Sequence, residues 1–301
     1  MHRSTLRTDK PTPSAIPLLL ASVFLFTACG TETVTLDGPA PGVDLISAEG
    51  LRSATRTLSS DEFEGRGPSS PGEEKTVAYL SERFTEAGLQ PGNQGSWTQD
   101  VPLVSITVAG APTLTISTAS GSRALAWQTD FVAWTKRVIP SVTVENSELV
   151  FVGYGIVAPE YGWDDYANVD VAGKTVLILV NDPGYATQDD ALFNGNAMTY
   201  YGRWTYKYEE AARQGATGAI IIHETGAAGY PWDVVGSSWT GPQFGLAAAD
   251  DNMGRVALEG WITGEQAAEI FSASGQDMDA LTSVSYTHLT LPTTGIRCVS
   301  G

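Results

Sequence analysis

Three short polar clusters contain the residues whose types could perform chemistry. Residues 61–67 (DEFEGRG) place three carboxylates beside two glycines, residues 223–224 are a His-Glu pair, and residues 250–252 are Asp-Asp-Asn. Carboxylates and imidazoles that lie close together can bind a metal ion or act as general acid and base. Each cluster therefore has a chemical interpretation and a structural one, and the neighbouring sequence helps to distinguish them.

The first two clusters favour structural roles. Residues 61–67 interrupt helical periodicity, so we expect a polar turn between helices in which Arg66 pairs with a neighbouring acid. His223 and Glu224 follow a buried strand, where ligands often lie in α/β folds. The pair supplies two ligands at most, whereas catalytic zinc usually takes three from the protein. We therefore expect His223 to be a hydrogen-bonded structural residue.

A long loop, residues 192–205, is rich in aromatic residues, glycine and asparagine. Aromatic rings provide contact area, and arginine can bind a carboxylate. One interpretation places Tyr200, Tyr201 and Arg203 at the lip of a substrate cleft. The other interpretation is an aromatic cluster packed beneath a long loop, and the sequence leaves both open.

The elements that must position these residues form a βαβ unit. Residues 174–180 and 219–222 are continuous apolar runs of strand length, and residues 206–215 between them form helix-favouring sequence that ends in glycine. Apolar runs without polar alternation suit strands covered on both faces, and a helix between two such strands is typical of parallel sheets. The sequence therefore predicts an α/β layer around residues 147–224.

Amphipathic helices and further strands flank this unit. Ser47 and Ser70 are predicted to cap helices that end near residues 58 and 88, and residues 101–108 and 114–117 have strand character. Residues 264–275 indicate another helix, and residues 277–281 indicate the start of one more.

The net charge and the cysteine content argue against some classes of function. The chain has 301 residues and a net charge of −17, and so acidic a surface repels phosphate backbones, which argues against nucleic acid as a partner. Its two cysteines, Cys29 and Cys298, form no Cys-x-x-Cys pair for zinc or redox chemistry.

The amino terminus has the features of an export signal. Basic residues precede an apolar segment, residues 15–28, that is too short to cross a bilayer as a stable helix. Residues 25–29 (LFTAC) resemble a bacterial lipoprotein signal, which implies a signal peptide at 1–28 and a membrane anchor through a lipid on Cys29. The alternative is ordinary cleavage after Ala28, and mass spectrometry of the mature amino terminus distinguishes the two. Residues 29–46 are then a tether, and the protein is expected in the bacterial cell envelope or secreted.

Several motifs together resemble those of secreted zinc-dependent exopeptidases, the co-catalytic aminopeptidases that include aminopeptidase Y and relatives of glutamate carboxypeptidase. Residues 58–67 (LSSDEFEGRG), 71–75 (PGEEK) and 87–91 (AGLQP) resemble the opening of these enzymes. Residues 148–159 (ELVFVGYGIVAP), 173–176 (GKTV) and 211–224 resemble the protease-associated domain inserted in many of them.

The resemblance implies an α/β fold in which a protease-associated domain, β-rich with a βαβ unit, is inserted into an incomplete αβα zinc-peptidase domain. On this basis residues 47–134 are the first part of the peptidase domain, 135–262 the inserted domain, and 263–283 the start of the return. It also implies peptide substrates and two zinc ions that activate a water molecule in the intact enzyme.

None of the family's catalytic or metal-binding residues can be assigned in this chain. Residues 250–252 match the family's Asp-Asp-Asn motif, but strand-like sequence follows them and no His-x-Asp pair precedes them, so we expect a turn. Residues 284–294 resemble the translation of a sequencing adapter, and we interpret 284–301 as an artefactual tail. The family's ligands would follow residue 283, so we expect this chain to bind no zinc and to be inactive. The alternative is a stand-alone lipoprotein that binds peptides or proteins through the inserted domain.

Overall fold

A computed structural model describes residues 42–286 and the backbone of residues 296–298. The predicted signal peptide, Cys29, most of the predicted tether, and residues 287–295 and 299–301 of the predicted tail lie outside the described residues. The chain divides into two compact units, the first ending at Thr98 and the second beginning at Gln99.

The first unit is helical, as its capping residues predict. The Oγ atoms of Ser47 and Ser70 accept hydrogen bonds from the backbone N–H groups of Gly50 and Glu73, respectively. These side chains satisfy helix amides that have no intrahelical partner. The helices are α1 (Ala48–Leu58) and α2 (Pro71–Glu86), with short 3₁₀ segments at Val43–Leu45 and Asp61–Arg66.

The second unit contains most of the regular structure. Its strands are β1 (Leu103–Ile106), β2 (Leu114–Thr118), β3 (Gly121–Leu125), β4 (Phe131–Trp134), β5 (Glu148–Phe151), β6 (Val157–Ala158), β7 (Trp163–Asp164), β8 (Thr175–Leu179), β9 (Gly218–His223), β10 (Gln243–Leu246), β11 (Leu258–Thr263) and β12 (Ile296–Cys298). Its helices are α3 (Pro183–Thr187), α4 (Trp204–Arg213), α5 (Thr225–Ala228), α6 (Trp232–Ser238), α7 (Gly264–Ala273) and α8 (Met278–Ser285), and Pro159–Tyr161 and Tyr200–Gly202 are short 3₁₀ turns.

A mixed sheet forms the centre of this unit. In the described residues its eight strands follow the order β3-β2-β12-β5-β8-β9-β11-β4. The four strands β5, β8, β9 and β11 are parallel, and Leu177 of β8 aligns with Ile220 of β9. A separate two-stranded ribbon pairs β1 with β10. The parallel β8–α4–β9 connection confirms the predicted βαβ unit.

Both faces of the sheet are covered, which explains the continuous apolar runs. Leu177 and Leu179 face one core, which α7 and α8 help to close, whereas Val176 and Ile178 face a second core that includes Tyr208 of α4. A strand buried on both faces needs apolar side chains at every position. The α/β class predicted from the sequence is therefore confirmed.

The predicted domain boundaries stay a prediction. The second unit begins at Gln99, upstream of residue 135, where the inserted domain is predicted to start, and β4 pairs with β11 in the same sheet. The backbone of β12 pairs with β2 and β5. Among residues 42–286 and 296–298, no helix combines the length and the apolar character needed to cross a membrane.

Candidate functional site

Polar residues collect where the parallel strands of the sheet end. Asn181 and Asp182 follow β8, and His223 and Glu224 lie at the end of β9. The carboxyl ends of neighbouring parallel strands meet at one edge of a sheet, which is the usual place for ligands in α/β proteins. We therefore describe this edge, and the loops beside it, as the candidate site.

A buried lysine lies at the centre of this region. Lys207 of α4 has no exposed surface, and its Nζ donates a hydrogen bond of 2.6 Å to the carbonyl oxygen of Tyr154. Asp165 Oδ2 accepts from the backbone N–H of Ile156 at 2.9 Å. Asp182, also without exposed surface, accepts through Oδ2 from the backbone N–H of Thr199 at 3.0 Å and its hydroxyl at 2.7 Å. The lysine thus joins α4 to the loop after β5, and each aspartate joins two loop segments to each other.

Burial and opposite charge compete in this cluster. Burial lowers the pKa of Lys207, while the charges of Asp165 and Asp182 oppose that shift. Burial likewise raises the pKa of Asp165, against the backbone N–H of Ile156 and the charge of Lys207. The charges of Lys207 and Asp165 therefore favour each other against the effect of burial. Because Lys207 and Asp182 have no exposed surface, the cluster cannot contact a substrate, and we interpret it as the clamp that fixes the surrounding loops.

The aromatic loop contains a packed cluster of rings and one exposed tyrosine. Phe193 is fully buried and stacks on Tyr161 with 4.3 Å between ring centroids, and Tyr201 meets Phe193 edge-on at 5.7 Å. Tyr200 is 58% exposed and donates its hydroxyl to Glu209 at 2.7 Å. A packed cluster thus lies beneath a loop whose outer tyrosine is accessible.

Hydrogen bonds to carboxylates orient the two tyrosines. The hydroxyl of Tyr201 donates to Glu160 Oε1 at 2.6 Å, and this bond is the main cause that raises the pKa of Tyr201 to about 12. Arg203 is exposed at the start of α4, and its charge opposes the burial that raises the pKa of Tyr230. The arrangement leaves Tyr200 and Arg203 accessible to a ligand, and their role at a cleft stays a prediction.

His223 behaves as the structural interpretation predicts. Its Nε2 hydrogen-bonds to the carbonyl oxygen of Tyr230 at 3.0 Å, and burial lowers its pKa. Burial, followed by the nearby charge of Asp279, raises the pKa of Glu224.

The other two polar clusters form turns. Asp250 accepts hydrogen bonds from the backbone N–H groups of Asn252 at 3.1 Å and Gly254 at 3.1 Å, which confirms the turn predicted at residues 250–252. In the 61–67 turn, Arg66 donates to the carbonyl oxygen of Leu58 rather than to the acid that we expected. The carbonyl of Leu58 is an unsatisfied acceptor at the end of α1, so the guanidinium completes that helix terminus.

Sequence reasoning missed the Lys207 cluster. A signal was present, because Trp204, Lys207, Tyr208 and Ala211 share one face of α4 and three of the four are apolar. A lysine within such a stripe predicts a buried charge that needs partners. The partners themselves, at 154, 165 and 182, could not be identified from sequence spacing.

The fold and the candidate site define an α/β protein with a mixed sheet and a charged clamp at the carboxyl edge of its parallel strands. In the described residues, no group of three or more His, Cys, Asp or Glu side chains could hold a metal ion. No protein-family model and no curated protein matches the sequence.

Solved structures similar to this chain include two bacterial aminopeptidases. An aminopeptidase from Aneurinibacillus sp. strain AM-1 is 22% identical with a TM-score of 0.35, over 85% of this chain and 44% of that one. A zinc aminopeptidase from Bacillus subtilis is 18% identical with a TM-score of 0.23, over 70% of this chain and 43% of that one. The chain therefore spans less than half the length of either aminopeptidase.

Proposed function

We propose that this chain is the amino-terminal part of an exported zinc-dependent aminopeptidase, in which residues 135–262 form an inserted protease-associated domain. The complete enzyme would remove amino-terminal residues from peptides. A lipid on Cys29 would hold it at the cell envelope. The motifs at 58–67, 71–75 and 148–159 support this proposal because they resemble those of such enzymes in the same order along the chain.

The observation that carries the proposal is the exposure of apolar side chains on the two helices of the first unit. None of the residues of α1 is buried, and Leu51 is 60% exposed. On α2, Val77, Leu80 and Phe84 lie at helical spacing, and all three are exposed. Amphipathic helices of this kind normally pack their apolar stripe on a sheet or on other helices. We infer that the rest of a peptidase domain covers them in the complete protein.

The described residues do not fit a zinc site. With no group of three ligating side chains among them, they offer fewer ligands than the three that a catalytic zinc usually takes from its protein. We propose that the ligands belong to sequence that follows residue 283 in the complete protein.

Hydrolysis of Leu-p-nitroanilide tests the proposed function. The purified chain is expected to release no p-nitroaniline. The protein extended with its natural sequence after residue 283 is expected to release p-nitroaniline, and this release is expected to stop when a chelator removes zinc. Chelator-sensitive release by the chain itself would contradict the proposal, as would an extended protein that is inactive with zinc supplied.

The lip interpretation makes a prediction for the extended enzyme. Arg203→Ala is expected to raise KM roughly tenfold, with kcat little changed, because one charge-assisted hydrogen bond to a peptide carboxylate or carbonyl would be lost. Arg123→Ala, on the exposed edge strand β3, is the matched control for loss of a surface cation. An unchanged KM in Arg203→Ala removes this residue from the site.

The second candidate function is a stand-alone binding lipoprotein. It is favoured by the second unit, whose sheet is closed by apolar cores on both faces. Monodisperse, cooperative unfolding of the whole chain supports this candidate, whereas aggregation through α1 and α2 supports the partial peptidase.

A further inference from the structure

A concave site lies between the β1–β10 ribbon and the start of α4, within the second unit. It encloses about 200 Å³, and its wall includes Phe244 of β10 and the indoles of Trp204 and Trp239. Lys136 and Arg255 also line it. The site therefore combines an apolar wall with two cations in a chain whose net charge is −17.

The aromatic wall is held by buried partners. Trp239 stacks on Trp134 with 3.5 Å between ring centroids and an angle of 2° between ring planes, and Trp204 meets Trp239 edge-on at 5.1 Å. Trp134 is almost fully buried, and its Nε1 donates to Glu259 Oε2 at 2.9 Å. Rings fixed in this way offer a preformed surface, which lowers the entropic cost of binding an apolar group.

The two cations are positioned but are not closely paired. Lys136 Nζ lies 5.6 Å from the Trp204 ring centroid and 3.8 Å from Glu259 Oε2. Arg255 Nη1 lies 3.5 Å from Glu209 Oε1. Close charge-assisted hydrogen bonds measure about 2.7–2.9 Å, so both cations retain donors that an incoming anion could use.

A buried carboxyl, that of Glu259, lies next to Lys136. Glu259 has no exposed surface, and its Oε1 has no hydrogen-bond partner among the described residues. Burial raises the pKa of Glu259, which the charge of Lys136 opposes. The backbone carbonyl of Arg255 accepts hydrogen bonds from Arg137 Nε at 2.9 Å and Nη2 at 2.6 Å. These bonds fix the backbone at Arg255, the second cation of the site.

A shallow depression of about 450 Å³ adjoins the site and shares Arg255 and Asn252 with it. It adds Arg213 and Glu209 to the lining. A ligand longer than one residue could continue along this surface from the pocket.

We propose that this pocket binds a carboxylate group that has an apolar side chain next to it, such as the carboxyl end of a peptide. The aromatic wall accepts the side chain, and Lys136 and Arg255 bind the carboxylate. An acidic side chain followed by an apolar residue presents the same chemistry from a second source. The inference does not rest on the proposed peptidase function, because it concerns binding alone.

Isothermal titration calorimetry of the whole chain with three blocked dipeptides tests the proposal. N-acetyl-leucyl-leucine has the terminal carboxylate, its amide lacks it, and N-acetyl-glutamyl-leucine amide has only a side-chain carboxylate. The first probe is expected to bind at least about tenfold more tightly than its amide, because charge-assisted hydrogen bonds are lost in the amide. Tight binding of the third probe assigns acidic side chains as a source, and weak binding assigns chain ends.

Matched variants identify the groups responsible. Arg255→Gln and Lys136→Gln are each expected to weaken binding of the acid about tenfold and to leave binding of the amide unchanged. Lys174→Gln, which removes a cation paired with Glu148 at 3.2 Å outside the pocket, is the control. Glu209→Gln is expected to strengthen binding of the acid, because it removes the carboxylate that competes for Arg255.

Two results would overturn the proposal. The first is equal affinity of the folded chain for the acid and the amide. The second is a loss of affinity in Lys174→Gln that matches the loss in both Lys136→Gln and Arg255→Gln. Circular dichroism of each variant confirms folding, and Lys136→Gln decides the question if Arg255→Gln does not fold.

Discussion

Replacement of Lys207 with methionine is expected to lower the free energy of unfolding by about 3–5 kcal/mol, measured by urea denaturation at pH 7. The substitution removes the ammonium that donates to the Tyr154 carbonyl and lies near Asp165 and Asp182. Asp182, which has no exposed surface, and the partly buried Asp165 would then lose their cation. Removal of a buried cation that balances nearby carboxylates costs far more than loss of an exposed ion pair.

The size of this loss is expected to depend on pH. Burial raises the pKa of Asp165 above its value in the unfolded chain. A carboxyl with a raised pKa stabilises the fold below its unfolded pKa, and that contribution is lost as the pH rises through the folded pKa. Without Lys207, which favours the ionised form, the pKa of Asp165 rises further. The loss relative to wild type is therefore expected to grow as the pH rises above about 7, the folded pKa of Asp165 in wild type.

Lys174→Met is the matched control, because Lys174 is partly exposed and pairs with Glu148 at the surface. We expect that variant to change stability by less than about 1 kcal/mol. Equal effects of the two substitutions, or a Lys207→Met loss that shrinks as the pH rises, would contradict the clamp.

Replacement of Phe193 with alanine is expected to cost about 3–5 kcal/mol of stability, the usual loss for a buried aromatic ring. The ring has no exposed surface, stacks on Tyr161 at 4.3 Å and contacts Trp163 and Tyr201 edge-on. Its loss leaves a cavity under the loop that carries Tyr200 and Tyr201. Thermal unfolding followed by circular dichroism measures the effect.

Phe244→Ala provides the control for this second prediction. Phe244 is 41% exposed on the β1–β10 ribbon, so its truncation is expected to cost less than about 1 kcal/mol. If Phe193→Ala is no more destabilising than Phe244→Ala, the aromatic cluster does not hold the loop.

The sequence predicted the local elements well where a short-range signal existed. Ser47 and Ser70 cap the helices that they were predicted to cap, and β8, α4 and β9 lie where apolar runs and a terminal glycine placed them. Capping and strand burial depend on residues that are neighbours in the chain, so their patterns are visible without a structure.

The candidate site was predicted only in part. The aromatic composition of residues 192–205 indicated a packed or ligand-contacting loop. Tyr201 packs edge-on against Phe193, whereas contact with a ligand stays a prediction. The acid that binds Tyr201 is Glu160, 41 positions earlier in the chain. No periodicity connects residues so far apart, so the hydrogen bond could not be inferred from spacing.

The sequence by itself determined the α/β class, the βαβ unit and the structural roles of His223 and of the turn at residues 250–252. The tertiary structure alone decided that Lys207 meets Tyr154, 53 residues away, and that Trp134 stacks on Trp239 beside two cations. Local patterns report which face of a helix or strand is buried. They do not report which distant residue shares that burial, because this depends on the order of strands in the sheet and on the paths of the loops between them.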